Sequence, residues 1–200
     1  MPFPKVKVCG VNEAAFARRA EELGADFLGL IFAKGSPRCV SVAEAKAIVA
    51  GLCGTARTVG VFTTASADEI VTTAAEVGFR VVQLHRRASD EDVARLKAAG
   101  FEVWTLAGGS ETADALLFDS SHGDGEIALR KGAWTAILAG GISADNLRDA
   151  LASGADVIDV SGSLESSRGV KSIPRLEAFW SVLETERNTR RFQIGERTAM

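Results

Sequence analysis

The chain has 200 residues, 46% of them hydrophobic, with a net charge of −3 and a sequence pI near 5.5. That length suits one large domain, and the mildly acidic balance gives no electrostatic reason to expect nucleic acid or an anionic membrane as partner. No apolar run is long enough to span a bilayer, MPFPKVKVCG at the N-terminus lacks the apolar stretch of a signal peptide, and three irregularly spaced cysteines with two histidines leave neither a disulfide framework nor a zinc or His-rich metal site. The totals read as a soluble, cytoplasmic protein with reduced thiols.

The first element is a short strand, Lys5 to Cys9, followed by Gly10 and a helix-start residue, Asn12. AEELGADFLGL (20–30) then introduces a unit that returns as AAEVGFRVVQL (74–84), KAAGFEVWTL (97–106) and LASGADVIDV (151–160). In each, an Ala/Glu/Leu-rich segment ends at a glycine (Gly24, Gly78, Gly100, Gly154) of the kind that terminates a helix in the left-handed conformation, and an apolar run follows. SVAE (41–44), SADE (66–69) and SDED (89–92) place serine three residues before an acid, the pattern of a capping box. The remaining strands are expected at 26–31, 58–62, 80–84, 102–106, 115–119, 135–139 and 156–160. Eight short apolar strands alternating with helices imply a parallel sheet of right-handed βαβ units. The count favours a closed (β/α)8 TIM barrel over an open doubly wound sheet. AGGSETAD (107–114) leaves room for no more than one helical turn after strand five, and residues 120–134 for about two after strand six, so the helical ring should be thin there and expose apolar barrel surface. One barrel domain over 1–185 and a loose polar C-terminal tail over 186–200 complete the reading.

In such a barrel the active site lies where strands give way to the loops before the helices. Cys9 ends strand one, Asp119 ends strand six, Asp159 lies near the end of strand eight and His85 follows strand four. Side-chain parity puts Lys7 and Cys9 on one face of their strand, and Ala115, Leu117 and Asp119 on one face of theirs. If those faces point inward, a thiol and a carboxylate look into one mouth; the plainer role for Cys9 is a small core filler. LAGGIS (138–143) and VSGSLES (160–166) carry Gly140, Gly141, Gly162 and Ser163, whose loops suit a phosphate or serve only as tight turns. Arg38, beside Pro37 after strand two, is a bidentate clamp for a substrate carboxylate or a solvated loop arginine. Cys39 is its neighbour and could approach Cys9. Lys7, facing inward, is the candidate amine for a lyase or aldolase working through a Schiff base.

KVCGVN, FLGLIFAKGSPR, TVGVF, VVQLH, LLFDS, LAGGISADNL and DVSGSLESSRGVKS run in this order from about residue 5 to 180. Together they resemble the phosphoribosylanthranilate isomerase family of tryptophan biosynthesis. The resemblance implies an Amadori rearrangement of N-(5-phosphoribosyl)anthranilate to 1-(2-carboxyphenylamino)-1-deoxyribulose 5-phosphate, with no metal or organic cofactor. It implies Asp119 as general acid and Cys9 as general base, the thiolate being competent if its pKa is lowered locally. It also implies Arg38 on the anthranilate carboxylate with His85 nearby, Asp159 on a ribose hydroxyl, and Gly140, Gly141, Gly162 and Ser163 around the phosphate. The expected partner is thus a small phosphorylated substrate, bound by a monomer or homodimer. Three loops depart from the family pattern. Arg86 stands where the family has glycine after strand four, HGDGE (122–126) replaces G-G-[ST]-G-K, and GSLE (162–165) inverts S-G-V-E. These departures leave two alternatives: a paralogous isomerase for a different phosphorylated N-glycoside, or a phosphate-binding barrel with a decayed site.

Overall fold

The structure is a computed structural model that describes residues 3–120 and 135–198, the side chains of 191–198 excluded. Eight parallel strands, β1 (Lys5–Cys9), β2 (Phe27–Ile31), β3 (Arg57–Phe62), β4 (Val81–Leu84), β5 (Glu102–Leu106), β6 (Ala115–Asp119), β7 (Thr135–Ala139) and β8 (Val157–Val160), close into a barrel in chain order. Helices α1 (Ala14–Glu22), α2 (Val42–Ala50), α3 (Ala67–Val77), α4 (Asp90–Ala98), α5 (Leu147–Ala152) and α6 (Ile173–Thr198) pack outside it, and a small antiparallel hairpin, β9 (Glu165–Ser167) and β10 (Val170–Lys171), follows β8. Every strand lies within one residue of its expected bounds. The serines at 41, 66 and 89 all form the expected capping boxes, and the four helix-terminating glycines all take positive φ.

Parity sorts the strand residues into two cores. Val6, Val8 and Leu116 join the layer between sheet and helices, whereas Cys9, Phe27, Val59, Val61, Trp104, Ala115, Leu117 and Ile137 fill the barrel. Phe27 and Trp104 meet edge to face at 5.0 Å in the interior. Both faces of each strand are therefore buried, which is why the strands read as nearly continuous apolar runs.

Aspartates outside the strands tie neighbouring strands together. Asp26, Asp114 and Asp156 each directly precede a strand, and each accepts the N–H of a residue in the preceding strand: Val6, Val103 and Ala136, all at 2.8 Å. Asp26 and Asp156, expected inside β2 and β8, stand just before them for this reason. Buried Glu21 plays a similar part between α1 and the loop before β3, accepting from Cys53, Thr55 and Ala56.

Three details differ from the sequence reading, and a fourth lies outside the described residues. Asn12 does not cap α1; Glu13 holds that position without a side-chain cap bond, and the Asn12 amide instead donates to the Gly169 carbonyl at 2.9 Å. Residues 107–114 form turns and no helix, yet the barrel is not bare there: Val103, Thr105, Ala113 and Leu116 are buried. The expected two turns after β6 fall in 121–134, outside the described residues. Finally, α6 does not stop near 185 but runs to Thr198. Its polar residues support it locally. Thr185 and Thr189 bond back to carbonyls four residues earlier, Arg187 pairs with Glu184, and Glu186 pairs with Arg148 of α5.

Asp26→Ala leaves the Val6 N–H without its acceptor and should cost about 1–3 kcal/mol, while Asp26→Asn, which keeps an acceptor oxygen, should cost less. Urea unfolding of the three proteins measures both, and equal midpoints would show that the bond contributes nothing.

Candidate active site

The C-terminal ends of the strands open into one cavity of about 520 Å3. Cys9 and Asp119 both line it, from strands separated on the short way round the barrel by β7 and β8. So do His85, Asp159, Arg38 and the four residues of the two glycine loops, so the fold gathers all nine sequence candidates around one space.

Asp119 is buried against Gly140. A Cβ on that glycine would stand 2.5 Å from Asp119 Oδ1, and its φ is +89°, so both space and backbone demand glycine there. Asp119 Oδ2 lies 3.7 Å from His85 Nε2, and His85 Nδ1 lies 3.2 Å from the Gln83 amide nitrogen. Gln83 donating to Nδ1 corresponds to the tautomer that carries its proton on Nε2, facing the carboxylate. Gly141, also at positive φ, has open space where a Cβ would be. The loops after β7 and β8 are joined by Ser163 Oγ, which donates to the Ile142 carbonyl at 2.6 Å, and the loop after β7 is held in itself by the Asn146 amide donating to the Gly141 carbonyl. Gly162 opens a single 3-10 turn, Gly162–Leu164.

Two ion clusters underlie the cavity. In one, Arg38 is bound in bidentate fashion by Glu165, through Nε and through Nη2, the latter at 2.9 Å. Glu165 also accepts from the Gly169 N–H and pairs with Lys171, and Lys171 donates to the Ser161 carbonyl. Gly10 makes room for the arginine stem, since a Cβ there would stand 2.5 Å from Arg38 Cδ. Burial alone would raise the Glu165 carboxyl, but its Arg38, Gly169 and Lys171 partners outweigh that and hold it at about 2. In the other cluster, fully buried Lys7 donates to Asp159 Oδ2 at 2.7 Å. Asp159 Oδ1 and Gln83 Oε1, both of residues that line the cavity, are buried acceptors without a donor among the described residues.

The sequence model of the family described as N-(5'phosphoribosyl)anthranilate (PRA) isomerase matches residues 6–182. The chain belongs to that family. It is 34% identical over 201 residues to the N-(5'-phosphoribosyl)anthranilate isomerase of Neisseria meningitidis serogroup B, covering 88% of this chain and 94% of that one. Among solved structures, the phosphoribosyl anthranilate isomerase of Thermus thermophilus is 31% identical with a TM-score of 0.78, covering 90% of this chain and 98% of that one. TrpF from Jonesia denitrificans is 28% identical with a TM-score of 0.80, covering 90% of this chain and 96% of that one.

Several sequence expectations change inside this isomerase-family barrel. The condition set for a thiolate base, a locally lowered pKa, is opposed by burial, which pushes the Cys9 thiol above its ordinary range against the pull of Lys7. Lys7 is no free amine for a Schiff base. Burial would lower it, but the Asp159 carboxylate and Cys9 prevail and keep it protonated above the usual lysine range. Arg86, expected at the pocket rim, turns away to Asp92 of α4 at 2.6 Å. Cys39 is an exposed free thiol, and Cys9 a buried free one. His122, Asp124 and Glu126 of the altered loop lie outside the described residues.

The sequence reading missed Gln83, Glu165, Lys171 and Gly29. Gln83 had a signal, a polar residue in the otherwise apolar VVQL strand. Gly29 had one too, an isolated glycine inside a strand, which marks close approach of another group. Glu165 and Lys171 had none, because their partners are 127 and 10 residues away in the chain.

Because its folded-state pKa is depressed, Glu165 contributes stability above the ordinary glutamate range, and that contribution is lost as pH falls through about 2. Glu165→Gln should therefore cost about 2–3 kcal/mol at neutral pH, and less at pH 3. Urea titrations at the two pH values test this; an equal penalty at both would show that the carboxylate charge is not what matters.

Proposed function

We propose that this barrel catalyses the Amadori rearrangement of N-(5'-phosphoribosyl)anthranilate, with Asp119 as general acid and Cys9 as general base. The observation that carries the reading is the placement of Cys9 and Asp119, two proton-transfer groups on different strands, in one cavity bounded by two glycine loops, within a chain of the isomerase family. Asp119 gives its proton to the ring oxygen as the C1–O bond breaks, and the anthranilate nitrogen lone pair forms the iminium. The Cys9 thiolate then takes the proton from C2, giving an enolamine that tautomerises to the ketone.

The rest of the cavity suits the other parts of this substrate. The stitched loops at Gly140–Gly141 and Gly162–Ser163 would hold the phosphate through backbone N–H groups. Asp159 Oδ1, a buried acceptor without a donor among the described residues, would take a ribose hydroxyl. Arg38 keeps its Nη1 edge for the anthranilate carboxylate while Glu165 occupies the other edge. That Arg86 turns away from the cavity favours this substrate over a different N-glycoside, because the family's pocket rim is not filled by the replacement. The partner is a small phosphorylated molecule, and the setting is cytoplasmic, with Cys9, Cys39 and Cys53 as free thiols.

Turnover of N-(5'-phosphoribosyl)anthranilate, followed by the change in anthranilate fluorescence, is the direct test. Cys9→Ser and Asp119→Asn should each fold and lose at least about two orders of magnitude in kcat, the typical contribution of one acid or base. Near-wild-type turnover in either would end that residue's assignment. Failure of the folded wild type to restore growth of tryptophan-requiring cells would end the substrate assignment. Because the base must be deprotonated and burial raises the Cys9 thiol, kcat/KM should climb as pH rises above neutrality. A pH profile flat over that range would exclude the thiolate.

A further inference from the structure

A cysteine that burial holds as a thiol is a poor base unless something nearby stabilises its anion. The interior of β1 supplies one candidate. Lys7 precedes Cys9 by two residues on the same inward face, and its side chain is fully buried. An uncompensated ammonium in a barrel interior would be very costly, so its presence needs an account. Asp159, its register partner across the β1–β8 seam, takes one of its three N–H bonds.

The adjoining strand shows what else the ammonium faces. Gly29 of β2 is the register partner of Cys9. A Cβ on Gly29 would stand 2.9 Å from the Cys9 sulfur and 3.3 Å from Lys7 Nζ. The backbone of Gly29 does not lie in the left-handed region, so conformation does not demand a glycine. Space does: the thiol and the ammonium share the volume that any side chain on β2 would fill.

We propose that Lys7 is the positioning residue of the base, an ammonium anchored by Asp159 and brought over the Cys9 sulfur by the missing side chain of Gly29, which makes the thiolate attainable inside the barrel. This rests on the reading of Cys9 as base. In the step itself the thiol proton leaves Sγ to water at the barrel mouth, the thiolate later takes the substrate C2 proton, and Lys7 keeps its three protons throughout.

The other charges near Cys9 suit the role less well. Arg38 and Lys171 also act on the thiol. Both are already committed to Glu165, and Lys171 also to the Ser161 carbonyl. Asp159 opposes ionisation of Cys9, but its charge is directed at Lys7. Asp119 and His85 act on Asp159 from across the cavity. Lys7 is the foremost of the cations lowering the thiol against burial.

The test reads the ionisation of Cys9 apart from turnover. In a Cys39→Ser/Cys53→Ser parent, the rate of alkylation by iodoacetamide against pH reports the Cys9 thiolate. Lys7→Met should move the midpoint of that curve up by about one pH unit or more and lower kcat at neutral pH about tenfold, with KM nearly unchanged. Removing Lys7 leaves a buried carboxylate, so Lys7→Met/Asp159→Asn provides a charge-balanced counterpart, read by the alkylation midpoint alone because Asp159 also lines the substrate cavity, with the same upward shift expected. Gly29→Ala, which keeps every ionisable group but wedges sulfur and ammonium apart, should also raise the midpoint. An unmoved midpoint in the folded variants overturns the role of Lys7 even if Cys9→Ser is inactive. A raised midpoint with Cys9→Ser fully active keeps the charge coupling and overturns the base assignment instead.

Discussion

The pairing of β1 with β8 is the constraint on which both barrel and site depend. Those strands are 148 residues or more apart in sequence, and their register sets Lys5 to Val8 against Val157 to Val160. Closure leaves no free sheet edge and makes the interior a sealed space that side chains must fill. It also sets Lys7 against Asp159 as register partners, so a buried ion pair sits on the seam itself. A slip of one residue there would turn every β1 side chain over and put Cys9 among the helices. The same register thus closes the barrel and aims the thiol.

The barrel interior is apolar between two charged ends. Phe27, Trp104 and Ala115 pack at the start of the inner faces, and Leu117, Val61 and Ile137 follow. Charged groups lie at both ends of the inner faces: Lys5 and Arg57 approach the Phe27 ring and Arg57 pairs with Glu102 at the start, while Asp159, held by Lys7, and Asp119 meet the cavity beside Cys9 at the other end. The cost of burying them is offset locally, Asp159 by Lys7 and Glu165 by Arg38 and Lys171. Rigid pairing of this kind suits proton-transfer chemistry, in which donor and acceptor must hold their geometry while charge moves between them.

Local physics was legible to the residue. Serine followed three places later by an acid, ahead of an Ala-rich or charged helical segment, satisfies the first N–H groups of a helix from within four residues, and all three capping boxes expected are present. Alternation grouped Cys9 with Lys7 and Asp119 with Ala115 and Leu117 because a strand leaves only two faces, and the packing of Ala115 and Leu117 in the barrel shows which face is inward. The C-terminal end of α6 was misjudged for the opposite reason. Its polar residues lack a periodic apolar stripe, and part of what supports them is supplied by Arg148 on another helix.

Composition, spacing and parity were enough to determine the (β/α)8 barrel, its strands and the residues at its mouth, because each follows from interactions within a few residues or from a repeat. Only the tertiary structure decided the electrical state of that mouth. That burial pushes the Cys9 thiol up, that Lys7 is an ion-paired ammonium and not a nucleophile, and that Arg38 is held by Glu165 depend on which groups burial brings together from distant strands. A pKa is set by the charges and the solvent within a few ångströms, and no local stretch of sequence contains that neighbourhood.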